Sequence, residues 1–327
     1  MQKLGGKGFG PVGTVRNFMN VVKEIDFEEV RERAEQRPRI MVIGPSDDAA
    51  RTSAEAIFGS DAGRYIELRG GDSTDQIDAA RYDAVVVSDP DGTGLIDRVK
   101  RNMVRSGSAK LFPIRRAGNP EDIAGLRSRL LNATLDMAPS YGRHFPEFRA
   151  AAVKEIVDDT ARANAQFALV SNIPAVIPIL GGFVSASADL IVLTKNQVMM
   201  SYKIAAVHGR DLQDQTAVVR ELVPVVGAGF LWRTIAREAV SFLPFAAGTV
   251  PKVVIAYAGT FSVGRAIDFY YRSGKKPNKE QLQAFVTQAT ETANRLGLPG
   301  RAGTDNATGS EQTEMDEKDS AANINPS

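Results

Sequence analysis

The stretch Arg39-Ile40-Met41-Val42-Ile43-Gly44-Pro45-Ser46-Asp47-Asp48-Ala49-Ala50-Arg51 decides the fold class of the first half of the chain. Four apolar residues in a row suit a short buried strand, Gly44-Pro45 ends it, and the acids Asp47 and Asp48 open a helix. Working outward, strands are expected at Tyr65-Ile66-Glu67-Leu68, Ala84-Val85-Val86-Val87 and Lys110-Leu111-Phe112-Pro113-Ile114. Helices are expected over Asp47 to Phe58, Leu95 to Arg105 and Pro120 to Leu131, the last with Asn119 as N-cap and Pro120 as its first residue. The alternation predicts an α/β domain over 39–142 with a mostly parallel sheet and crossovers on both faces.

The turn after the first strand is where such a sheet places a phosphate cradle. Laid on the pattern G-x-x-x-x-G-K-[ST], only Gly44 survives: Ala49, Ala50 and Arg51 replace the second Gly, the Lys and the hydroxyl residue. Asp47 and Asp48 add carboxylates that favour the helix dipole and disfavour a bound phosphate. Asp89-Pro90-Asp91-Gly92 has the D-x-x-G shape of GTPases, but Pro and Gly at those places also suit a type I turn. After the fourth strand Arg115-Arg116-Ala117-Gly118 stands where N-K-x-D would read guanine. A receiver-domain site built on Asp47, Asp48 and Asp89 lacks a following Lys-bearing strand. Gly44, Asp89 and Gly92 remain the candidate nucleotide contacts; no catalytic residue, metal site or cofactor is expected.

The 327 residues carry 40 Lys and Arg against 39 Asp and Glu, a net charge of +1 that gives duplex nucleic acid no broad attraction. With no Cys, disulfides, thiolate metal sites and Cys nucleophiles are excluded; His144 and His208 alone cannot build a His-rich metal site. The length suits two domains.

Residues 1–38 read as an N-terminal helical lead-in. Met1 to Gly13 has no apolar run of a secretory signal, so a cytosolic start is expected. Val15, Phe18, Met19, Val22 and Ile25 recur at helical spacing, and Asp26 with Glu29 reads as a capping box opening a solvated connector helix to about Gln36. From Pro299 to Ser327 six acids, two bases and almost no large apolar side chains predict a disordered tail, 299–327.

From Phe145 onward helical patterning takes over, and 143–298 is expected to be all-α with apolar hairpins. Val153, Ile156, Val157, Thr160, Asn164 and Phe167 form a stripe leading into Ala163 to Ala188, which is free of charge but interrupted by Pro174, Pro178 and Gly181-Gly182. Asp189 to Gly209 is a helix with Thr194, Gln197, Ser201 and His208 on a polar stripe, His208 serving as a C-terminal residue. Ala239 to Val250 and Val253 to Gly264 are uncharged arms, with a break expected at Pro251-Lys252. An arm of about twelve residues rises about 18 Å, short of a hydrocarbon core of about 30 Å. Asn278 with Gln281 caps a last amphipathic helix carrying Leu282, Phe285, Val286, Ala289 and Leu296.

The stretches Asp159 to Leu169, Ile173-Pro174-Ala175-Val176-Ile177-Pro178-Ile179-Leu180-Gly181, Gln197 to Arg210, and Phe242-Leu243-Pro244 through Val263-Gly264-Arg265 carry a resemblance. Over Arg143 to Phe269 the chain resembles the YcjF-type domain of unknown function, a helical, often membrane-associated module found beside or fused to Era-like bacterial GTPase domains. The resemblance implies membrane association on the cytoplasmic side and a degenerate GTPase-like α/β half; no catalytic residue transfers. Phe167, Ile173, Ile177, Phe183, Phe242, Phe245, Val254 and Phe261 are the candidate membrane contacts. The expected function is that of a non-enzymatic adaptor or regulatory protein whose partner is a membrane surface or membrane protein, with a homo-oligomer as a further partner class and nucleic acid excluded. The alternatives are a divergent GTPase using Asp89 and Gly92, a bilayer-perturbing helical module, and a soluble helical scaffold whose hairpins are core.

Overall fold

The computed structural model of the chain describes residues 22–71, 77–104, 110–170, 188–226 and 249–296. Strands β1 (Ile40–Gly44), β2 (Glu67–Gly70), β4 (Ala84–Ser88) and β6 (Lys110–Ile114) form one parallel sheet in the order β2-β1-β4-β6. The two-residue strands β3 (Ile77–Asp78) and β5 (Met103–Val104) pair in a separate parallel ribbon. Helix α2 (Asp47–Phe58) follows β1, α3 (Leu95–Asn102) follows β4, and α4 (Pro120–Ala133) follows β6.

The two central strands are buried along their length and, Ser88 apart, carry no polar side chain, as suits strands covered on both faces. Ile40, Val42, Ala84 and Val86 turn with Phe112 and Ile114 towards Ala54, Ile57 and Phe58 of α2 and Leu126, Leu130 and Leu131 of α4. Met41, Ile43, Val85 and Val87 turn the other way, towards Leu95 and Val99 of α3 and Ile77 of the ribbon. The α/β layering and parallel sheet expected from the alternation are therefore present, followed by helices.

Some boundaries move. The second strand lies two residues later than its apolar pattern, because Ala62–Arg64 form a 3-10 turn and Ile66 is buried ahead of the ladder. The helix after β4 stops at Asn102, since Met103 and Val104 extend to pair with Ile77 and Asp78. At the lead-in, Phe27 takes the N-cap position of α1 (Glu28–Glu35), while the Asp26 carboxylate accepts from Glu28 N at 2.9 Å. Nor is α1 a free connector. Phe27 is buried and tilts against Tyr202 with ring centroids 4.5 Å apart, and Val22 and Ala34 join the same cluster.

The helical part comprises α5 (Ala138–His144), α6 (Arg149–Val170), α7 (Ala188–Val207), α8 (Gln215–Val226), α9 (Thr249–Ser273) and α10 (Lys279–Arg295). Pro251 and Lys252 lie inside α9, so the chain runs helically through the pair where a break was expected; Pro251 sits in the first turn of that helix, where a missing N–H costs no intrahelical bond. The expected cap of α10 is present in both directions: Asn278 Oδ1 accepts from Gln281 N at 2.9 Å, and Gln281 Oε1 accepts from Asn278 N at 2.8 Å.

The long helices are keyed together by small and polar residues. A side chain on Gly264 of α9 would meet Val157 Cγ2 of α6 at 2.4 Å, so only glycine lets the two helices approach as they do. Asn164 of α6, buried, donates to Thr260 Oγ1 of α9 at 2.9 Å and accepts from Asn196 of α7 at 2.8 Å. Gln197 of α7 donates to the same Thr260 oxygen at 3.4 Å. Satisfied amides in an apolar bundle fix which residues stand level, because any slip would leave them unpaired.

One hydrophobic cluster crosses the boundary at 142/143, running from Ile40 and Val42 of the sheet to Ile267 of α9 and Val286 of α10. At the junction Phe58 stacks on Phe148 and meets Phe145 edge-on, and Tyr141 stacks on Phe148. Arg127 of α4 lies over the Phe148 ring and donates to Ile57 O, so a cation sits at the C-terminal end of α2 where the dipole favours it.

Candidate functional site

The first candidate region is the turn after β1. Gly44 is held there by packing: a Cβ would lie 2.5 Å from Ala50 N, so the backbone of α2 rests directly on the glycine. The Ala49 and Ala50 amides of this turn, and the Gly70 amide beside it, are bound by the protein itself. Ser46 Oγ accepts from Ala49 N at 3.2 Å, Ser46 O accepts from Ala50 N at 2.9 Å, and Asp47 Oδ1 accepts from Gly70 N at 2.6 Å. A carboxylate thus already occupies the start of α2 and ties it to the end of β2.

The second is Asp89 with Gly92. Asp89 is 2% exposed, and its Oδ1 accepts from Thr93 N at 2.8 Å and Thr93 Oγ1 at 3.0 Å. Burial pushes its carboxyl up, but the Thr93 bonds and those from the Ile96 and Leu95 amides outweigh burial and hold it below the usual carboxylate range. Gly94, in the N-cap position of α3, is left-handed at φ 79° and offers no capping side chain, so Asp89 caps the helix from five residues earlier. Gly92, at φ 66°, closes the turn with its N–H on Asp89 O at 3.4 Å. Asp89 and Gly92 therefore belong to one turn, and the carboxylate faces α3.

The helical candidates divide. Val254 and Phe261 are buried at 1% and 5%, so they face helical neighbours, and their assignment moves from membrane contact to core. Phe167 is half-buried near the end of α6. Ile173, Ile177, Phe183, Phe242 and Phe245 lie outside the described residues. No helix among the described residues is long and apolar enough to cross a membrane.

The topology brings three helix ends together. Val157 stands level with Gly264 and Asn164 with Thr260, so α6 and α9 run antiparallel. Gln197 stands level with Thr260 and His208 with Asp268, so α7 and α9 run parallel. The end of α6 and the starts of α7 and α9 therefore share one pole, and α8 follows α7 from the opposite one, where its Glu221 bonds Arg210 and Tyr270. In sequence, residues 171–187 join α6 to α7, and 227–248 precede α9, which starts at the shared pole. The 22 residues of α6 place it about 33 Å from the α/β junction. Of the five exposed large hydrophobics among the described residues, Leu169, Val170, Val192 and Leu296 lie towards this end; only Tyr65 does not.

His208 ends α7 as expected: Gly209 is left-handed at φ 75°, and the Gly209 and Arg210 amides return to Ala206 O and Ala205 O. Its pairing with buried Asp268 at 3.1 Å and its stacking on Tyr271 were not legible, since the partners are 60 and more residues away. Arg265 and Arg272 also face Asp268, which makes this a structural ion cluster with no nucleophile in it. Among the described residues no group of three or more His, Cys, Asp or Glu could hold a metal ion. No family model, curated protein or solved structure matches the chain.

Proposed function

We propose that the chain is a non-enzymatic, membrane-associated adaptor or regulatory protein, with a GTPase-like α/β unit and a helical unit whose far pole rests on a bilayer. The observation that carries this reading is that the end of α6 and the starts of α7 and α9 share one pole, beside exposed Leu169, Val170 and Val192. Of the sequence that adjoins these helix ends, 171–187 has no charged residue and 227–248 has only Arg233, Arg237 and Glu238. An apolar surface of that kind gains free energy by leaving water, about 25 cal/mol per Å². The resemblance of residues 143–269 to a membrane-associated module agrees with it. The α/β unit supports the non-enzymatic part: Asp47 is bound to the end of β2 and Asp89 to the start of α3, so neither carboxylate is free to serve a nucleotide or its metal. A divergent GTPase would have to release both.

Co-flotation of the purified full chain with phosphatidylcholine and phosphatidylglycerol vesicles tests the proposal. The wild type is expected in the floating fraction, and Ile177→Asp combined with Phe245→Asp at the bottom of the gradient with an unchanged urea midpoint. A wild type that stays at the bottom, or a double variant that floats equally well, overturns it.

A further inference from the structure

Beside the closed β1 turn, the carboxyl ends of β4 and β6 leave an open cleft of about 420 Å³. Its floor is a pair of hydroxyls. Ser53 of α2 donates to Ser88 Oγ at the end of β4 at 2.9 Å, and both side chains are buried. Thr52 adds a third hydroxyl on the α2 side, and Arg115 and Arg116, the first residues past β6, stand at the rim. The described residues that line the cleft thus include two guanidiniums and three hydroxyls and no carboxylate.

Of the neighbouring acids, Asp48 and Asp91 are exposed beside Ala49 and Pro90 and make no ion pair with a described residue, and the others are committed elsewhere. Asp89 caps α3, Asp47 holds Gly70 N, and Asp122 grips Arg116 through two bonds of 2.8 Å. That grip orients the Arg116 loop and neutralises its charge. Arg115 is exposed and makes no ion pair with a described residue. Among its own lining residues the cleft is therefore left with one unpaired cation beside its hydroxyls, at the carboxyl edge of a parallel sheet, where α/β sheets take their ligands. A guanidinium fork matches the oxygens of a phosphate or carboxylate, and the Ser88 hydroxyl supplies a further donor, the Thr52 and Ser53 protons being given to Asp48 O and Ser88 Oγ.

We infer that this cleft binds the oxyanion group of a small metabolite, a phosphate monoester or a carboxylate, anchored by Arg115 and seated on Thr52, Ser53 and Ser88. A single free cation fits one anionic group; a triphosphate would also need the Ala49 and Ala50 amides that Ser46 already holds. The adaptor would then carry a ligand-binding face on its α/β unit, independent of the membrane reading.

The test is ³¹P line broadening of inorganic phosphate by the full chain in the absence of lipid. Saturable broadening is expected for the wild type. Arg115→Gln should weaken it about tenfold or more, the loss of one charge-assisted contact, and Arg115→Lys should weaken it less. Ser88→Ala should weaken it severalfold, with the near-UV spectrum unchanged. Arg101→Gln, an exposed arginine on the other face, should leave it unchanged. Acetate that sharpens the line extends the site to carboxylates, and acetate without effect confines it to phosphates; both support the site. No broadening, or broadening that Arg115→Gln and Arg101→Gln reduce equally, overturns it.

Discussion

The rings of Phe58 and Phe148 stack with centroids 5.1 Å and planes 14° apart, joining the last residue of α2 to the residue that leads into α6. The α/β and helical parts thus meet through a shared aromatic core. Phe148→Ala is expected to cost about 3–5 kcal/mol, the range for emptying a buried aromatic site. Urea unfolding of the full chain, followed by far-UV circular dichroism, checks this. A fragment cut at residues 39–135 would expose Phe58 and Leu130 to water, so nucleotide binding is better measured on the full chain. There, calorimetry with GTP and Mg²⁺ is expected to show no tight binding; micromolar, Mg-dependent binding would refute the filled-turn reading.

Asp89 contributes as a carboxylate that receives donors from Thr93 and the start of α3. Asp89→Ala should cost about 1.5–3 kcal/mol at pH 7, the worth of hydrogen bonds to a charged group. Because the folded carboxyl is depressed, its contribution is present above the unfolded value of about 3.9 and is lost as pH falls through the folded one. Urea midpoints of wild type and variant should therefore converge towards acid pH. Parallel curves would contradict the cap.

Gly264→Ala forces a methyl group into Val157 and should cost about 1–3 kcal/mol, the range for overpacking. Val157→Ala in the same chain should recover part of the loss. Additive losses in the double variant, measured by thermal unfolding, would show that α6 and α9 do not meet there.

His144 Nε2–H donates to the Glu35 carbonyl oxygen across 3.1 Å. Burial first, then Arg37 and Arg143, hold its imidazole below the ordinary value despite the Glu35 bond. The unfolded chain then takes the proton more readily, so stability should fall as pH drops below about 6.5 and level off below the folded value. His144→Gln should flatten that segment of the urea-midpoint profile. An unchanged slope would place the titration elsewhere.

Local chemistry was the legible part of the fold. Asn119 accepts from the Glu121 and Asp122 amides, and Asn278 and Gln281 cap each other, because caps depend on residues two or three apart. Phe27 was hidden inside a charged stretch, since its burial depends on Tyr202, far along the chain. Asp89 matched a D-x-x-G pattern, yet its direction is set by left-handed Gly94 and the start of α3. The Ser53 to Ser88 pair left no sequence signal at all: it joins a helix to a strand across 35 positions. Val254 and Phe261 read as surface because an uncharged helix face looks the same whether it meets lipid or protein; packing against α6 and α7 decides between them.

The central claim is that one pole of the helical unit meets the bilayer, and the Cys-free sequence permits a direct measurement. An environment-sensitive fluorophore is attached through Val170→Cys, a position 80% exposed at that pole, and in a second protein through Lys276→Cys, exposed at the opposite turn. On addition of phosphatidylcholine and phosphatidylglycerol vesicles the emission at position 170 should shift to the blue while that at position 276 stays where it is. No shift at 170, or an equal shift at both positions, would contradict the account.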